Sequence, residues 1–198
     1  MLVNNANYAG RFRPFGQAML AGQAARFEEV FAPMMREIEF EYLFFLAHVE
    51  DGYRVDLCRW DWNRKFKSPR PGAPITAHVA ANHGWQPSGA ELSTEHSYHY
   101  QATGSWQTAK DSKETSADGG ADNLSRLEGV MMNDYTLGEP FLLGANGTFT
   151  PPSEGQLYLR CHDAWTSLAD NKGTLTVKIS STAAAPEENP STAQEDAR

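Results

Sequence analysis

The sequence has little that would let it cross or hold a membrane, and little that would let it grip nucleic acid. No stretch approaches the roughly 18 consecutive apolar residues of a bilayer-spanning helix. The longest apolar run, residues 42–49, is a strand's length and contains His48. Positive charge is scarce, with 17 Lys and Arg against 25 Asp and Glu and a formal net charge of −8. The densest basic run is Arg64-Lys65, with Lys67 and Arg70 nearby. Phosphate backbones and anionic lipid surfaces both require clustered Lys and Arg, so neither is an expected partner. Cysteine is rarer still. Cys58 and Cys161 alone rule out a disulfide scaffold, leaving either two buried free thiols or one long-range bridge. The first residues lack a basic start and an apolar signal core, the pattern of a cytoplasmic chain or of a mature or truncated product.

Catalytic signatures are also missing. The chain carries no nucleophile elbow, phosphate-binding loop, dinucleotide fingerprint or zinc-protease helix, and no carboxylate pair stands out by spacing. The expectation is a protein that is not an enzyme.

What is present reads as β structure behind a distinct N-terminal segment. Residues 1–23, rich in Asn, Gly and Phe, read as an extended arm. Residues 24–38 place Phe27, Val30, Phe31, Met34, Met35 and Ile38 at spacings of three and four, the mark of a helix. Pro33 is expected to kink or divide that helix. Its Phe/Met stripe suits packing on the body of the protein or docking a protein partner through residues 1–40. Residues 42–49 and 53–60 flank Glu50-Asp51-Gly52 and read as a β-hairpin. The Pro-rich stretch 68–74 is the best boundary, dividing residues 1–70 from 71–180.

Beyond it, strand-like segments at 75–80, 97–103, 129–133, 140–143, 155–161 and 174–180 alternate with Gly/Pro turns. Many short strands and almost no helix predict an all-β fold, a jelly-roll or β-sandwich. Residues 107–126 form a long polar loop. Residues 181–198, without aromatics, read as a disordered tail.

One loop concentrates oxygen donors. Between two strand-like segments, Asp163, Asp170 and Asn171 stand close together, and Gly173 permits a sharp turn into the next strand. Calcium takes six to eight such oxygens on a tightly folded backbone, whereas Asx bonding within a turn uses the same residues structurally. His96 and His99 are spaced to point to opposite faces of a strand and make a poor metal pair.

Residues 75–180 carry the segments Gly84-Trp-Gln-Pro-Ser-Gly89, Ala102-Thr-Gly-Ser-Trp106, Pro140-Phe-Leu-Leu-Gly144 and Gly147-Thr-Phe-Thr-Pro-Pro-Ser-Glu-Gly155. Asp163-x-x-x-Ser167-x-x-Asp170-Asn171-x-Gly173 follows them. Through these segments residues 75–180 resemble the calcium-dependent galactophilic lectins of the Pseudomonas PA-I type, whose spacing the last one keeps without a gap. The resemblance implies a Ca2+ site with side-chain ligands Asp163, Asp170 and Asn171 and backbone carbonyls from Ser167 and Ala109. It also implies a carbohydrate, galactose-like, whose adjacent hydroxyls complete the metal shell beside Asp163 and Asn171. Trp165 is placed either to stack on that sugar or to lid the base of the loop. The implied function is a calcium-dependent carbohydrate-binding module, extracellular or periplasmic. The alternative is a non-catalytic accessory subunit that uses the sandwich as a platform.

Overall fold

A computed structural model describes residues 2–58 and 60–182, so most of the expected tail lies outside the described residues. All strand pairing within the sheets is antiparallel. One sheet has four strands in the order β1 (Ile75–Ala80), β9 (Lys172–Ser181), β3 (Tyr98–Gln107), β7 (Asn146–Phe149). The other runs β2 (Gln86–Leu92), β8 (Gly155–Cys161), β4 (Leu127–Asn133), β5 (Thr136–Leu137), with β6 (Phe141–Leu142) also paired to β4. The β-sandwich is therefore as expected, and β1 and β8 begin and end where the alternation placed them.

The two sheets close on one apolar cluster. Ala77, Val79, Leu175, Val177 and Ile179 come from the first sheet and Leu127, Met131, Leu157, Leu159 and Cys161 from the second. On the first sheet the intervening residues Thr76, His78, His99, Gln101 and Lys178 are exposed, which is the alternation of a sheet with one wet face. The second sheet differs. Residues 127–132 of β4 and 157–161 of β8 are buried without alternation, because both faces of this sheet are covered.

The outer cover is the N-terminal segment, which holds more helix than the periodicity indicated. Residues 9–20, read as part of an extended arm, form helix α1 (Ala9–Leu20), with Phe12 and Phe15 packed on the next helix. The expected helix is divided at Pro33: α2 (Phe27–Phe31), a 3-10 turn (Ala32–Met34), then α3 (Met35–His48). Residues 42–49, read as the first strand of a hairpin, belong almost entirely to α3, and the described part of 53–60 holds no strand, with a turn at 55–57. An eight-residue apolar run has no intrinsic period. Helix wins because Phe40, Phe44 and His48 recur at i, i+4, with ring centroids 6.0 and 4.5 Å apart. That ridge lies against Trp60, Tyr53 and Trp165.

A single carboxylate ties this cover together. Glu41 on α3 is 4% exposed. Its Oε1 accepts hydrogen bonds from Tyr8 Oη (2.7 Å), Asn7 Nδ2 (3.1 Å) and Trp62 Nε1 (2.7 Å), and its Oε2 from Asn5 Nδ2. Three separate stretches of chain thus meet at one residue. Burial raises the Glu41 carboxyl above its ordinary range, against the lowering effect of its donors.

Cys58 and Cys161 are both buried and unbridged. Burial pushes their thiols up to about 11 and about 12.

Candidate functional site

The loop from His162 to Gly173 leaves β8 at Cys161 and enters β9 at Lys172, with a 3-10 helix (Trp165–Asp170) in its middle. Both ends are therefore fixed to strands, one in each sheet. Asp163 stands at the entrance. Its Oδ1 accepts the Ala164 N–H at 2.7 Å, and its Oδ2 accepts Asn171 Nδ2 at 3.0 Å. The same Nδ2 also donates to the Ala81 carbonyl at 3.2 Å, which fixes the amide's orientation. Asn171 is 3% exposed, and its Oδ1 is buried with no hydrogen-bond partner among the described residues. A buried carbonyl oxygen without a donor is uncommon and invites a ligand.

The remaining donors lie around this pair. Asp170 is exposed and Ser167 half-buried on the 3-10 helix. Ala109 belongs to the stretch just after β3. Because Gln107 pairs with Lys172, that stretch runs on past the end of the ladder toward Asn171. The Ala109 carbonyl accepts both the N–H and the hydroxyl of Ser112, at 3.2 and 2.9 Å. The structure thus brings Asp163 and Asn171 into direct contact. It sets Ser167 and Asp170 on the same loop and Ala109 on the adjoining strand end.

The donor set suits a hard cation: two carboxylates, an amide oxygen and backbone carbonyls, with no sulfur or imidazole. Among the described residues no three His, Cys, Asp or Glu side chains are grouped to hold a metal. A site here consequently depends on the amide and the carbonyls as well as on charge.

Trp165, for which the sequence leaves both sugar stacking and a lid role open, is half-buried. Its ring meets Tyr53 at 5.3 Å and Phe44 at 5.9 Å, both edge-on, and lies 4.3 Å from the Arg160 guanidinium carbon. Gly52 at the end of the N-terminal helical segment abuts Thr166, where an added Cβ would lie 2.2 Å from the threonine methyl. The N-terminal cover therefore presses on the loop at Trp165 and Thr166, while Ala169 and Asp170 stay exposed.

Sequence reasoning passed over one charged group beside the loop. Arg160 in β8 is 8% exposed, and its Nε donates to Glu128 Oε2 at 2.6 Å, with Glu128 itself buried on β4. His162 Nδ1 stands 3.3 Å from the other Glu128 oxygen. Arg160 interrupts the apolar run of residues 157–161, and a charge in such a place needs a partner.

Among the described residues no helix is long and apolar enough to cross a membrane. No family profile matches the sequence, and no curated protein matches it. Among solved structures, the N-terminal domain of EclA, a PllA-like lectin, is similar to this chain with a TM-score of 0.49 and 19% identity, covering 57% of this chain and 100% of that one.

Proposed function

We propose that the 163–173 loop binds calcium and that the chain is a calcium-dependent carbohydrate-binding module. The observation that carries this reading is Asn171. Its amide is fixed against Asp163 through Nδ2, while its buried Oδ1 has no donor among the described residues. The ungapped spacing of Asp163, Ser167, Asp170 and Asn171 supports it from the sequence side. Asp163, Asp170 and Asn171 would hold the ion through side chains, and Ser167 and Ala109 through backbone carbonyls. Bound there, the ion supplies a positive anchor for vicinal sugar hydroxyls, a galactose-like sugar being the one the resemblance favours. Asp163 and Asn171 do the orienting, because they are held from both sheets. A location outside the cytoplasm, extracellular or periplasmic, accords with the modest affinities of extracellular calcium modules.

The experiment is a thermal melt with calcium and with chelator, followed by a glycan array under both conditions. Binding to the native state alone adds about 2.7 kcal/mol at a hundredfold excess over Kd. A Tm indifferent to chelation would remove the metal from the reading. Glycan binding that survives chelation would remove the calcium dependence and keep the carbohydrate.

A second reading, the accessory subunit, is favoured by apolar residues left uncovered on the helices. Leu20 is 92% exposed at the end of α1, and Tyr42, Leu43 and Leu46 are exposed on α3. A sedimentation measurement of the full chain that shows self-association lost on Leu20→Glu with Leu46→Glu would support it.

A further inference from the structure

Between α3 and the outer face of the second sheet lies a cleft of about 680 Å³. Phe40, Phe44, Trp85, Val130, Leu137 and Trp165 wall it. Its size falls in the range of small-molecule sites, and its walls are those of a site for a largely apolar body. Arg160 also lines it. The guanidinium is held against two indoles, 4.8 Å from the Trp85 ring centroid and 4.3 Å from that of Trp165. Such stacking fixes its plane.

Glu128 takes the Nε–H of this group, and on its other edge Nη1 is buried without a hydrogen-bond partner among the described residues. In a planar guanidinium Nη1 lies across the group from the Nε–H, so the Glu128 contact does not reach it. The other basic groups lining the cleft both stand beside carboxylates, His48 lying 3.3 Å from Asp51. Arg36 is paired with Asp134 at 2.7 Å and lies over Tyr135, and Glu39 adds a negative charge there. Of the basic groups in the cleft, Arg160 is the one left with a buried, unpartnered nitrogen among the described residues.

We propose that the cleft between α3 and the second sheet binds a small amphiphilic carboxylate, its apolar body among the aromatic walls and its head on the free edge of Arg160. A carboxylate suits that edge better than a neutral oxygen, since hydrogen bonds between two charged groups are the shorter and stronger ones. The site is separate from the calcium reading and stands or falls without it.

The test is calorimetric titration of the full chain in excess chelator with 2-naphthoate and with its neutral counterpart 2-naphthylmethanol. Naphthoate is expected to bind at least tenfold more tightly than the alcohol. Arg160→Gln combined with Glu128→Gln removes both charges together, and it is expected to abolish that preference. Leu43→Glu tests the mouth without disturbing the core, because Leu43 is 57% exposed and lines the cleft. It is expected to weaken the acid more than the alcohol, a difference that general damage to the fold would not produce. Absence of naphthoate binding overturns the proposal. So does equal affinity for acid and alcohol, or an acid preference untouched by Leu43→Glu, whether or not the glutamine pair folds.

Discussion

The two faces of the second sheet are built from different materials. The inner face meets the first sheet through Leu127, Met131, Leu157, Leu159 and Cys161, in one cluster with aliphatic side chains and the rings of Tyr98, Tyr100 and Trp106. The outer face carries Val130, Met132 and Tyr158 under a layer of Trp60, Trp62, Phe40 and Phe66, with Glu128 and Arg160 among them. Aliphatic side chains fill space closely. Flat rings and a stacked guanidinium meet at edges and leave the cleft. The inner face gives the sandwich its rigidity, whereas the outer face holds a cover on through a few oriented contacts.

The largest effect is expected where packing is closest. Leu159→Ala empties a fully buried position between the sheets and is expected to cost about 2–5 kcal/mol. A chemical-denaturation curve shifted by less than 1 kcal/mol would mean that the inner face is loosely packed, erasing the contrast with the outer one.

Next comes the hub of the cover. Glu41→Ala strips the acceptor from four donors and is expected to cost on the order of 3 kcal/mol. Proteolysis should then cut residues 2–62 before it cuts the sandwich. Simultaneous loss of both parts would show that the two faces unfold as one unit.

Acidity separates the faces further. The folded Glu41 carboxyl titrates above its ordinary value of 4.5, so between those two points the native state holds more proton than the unfolded chain. Its contribution is then fully present below 4.5 and declines as pH rises through the folded value. Wild type is expected to gain on Glu41→Gln as pH falls from neutral toward 4.5, in paired melts. Inner-face variants such as Leu159→Ala should keep a constant offset over the same range.

Asp163→Asn is expected to be milder without calcium, at about 1 kcal/mol, since one of two accepted hydrogen bonds is lost. With calcium the stabilisation by the ion should fall sharply as well, because ligand charge tunes these sites. Identical melts of the variant with and without calcium, beside a responsive wild type, would be the confirming pattern. Smallest of all is Arg36→Ala. Its pair with Asp134 is exposed, and the loss should stay under about 1 kcal/mol.

The same contrast explains what the sequence made legible. Strands of the first sheet announce themselves because one face is wet: Leu175, Val177 and Ile179 alternate with residues at the outer surface or partly open to it. β2 is missing from the strand-like segments of the sequence because Pro87 and Gly89 are poor strand formers. The chain accommodates them with a register shift between Pro87 and Glu91 and a φ of +80° at Gly89. Residues 42–49 misled because their partners, Trp60 and Trp165, are far away in sequence, and only those partners choose helix over strand. At the candidate site, the contact between Asp163 and Asn171 followed from spacing along one loop. The Arg160–Glu128 pair did not, since it joins two strands whose neighbourhood is set by the sheet.

Gly173 carries a consequence for how this chain can vary. At φ +96°, its missing side chain would lie 2.4 Å from the Ser105 carbonyl and 2.7 Å from the Trp106 Cα. Any side chain there must push β9 off β3 two residues after Asn171, at the end of the loop that carries the donors. Genetic drift can alter the surface of that loop at Ala169 or Lys172 with little penalty. At position 173 every single replacement is an architectural change, and a library of variants scored for folding alone should return glycine there almost without exception.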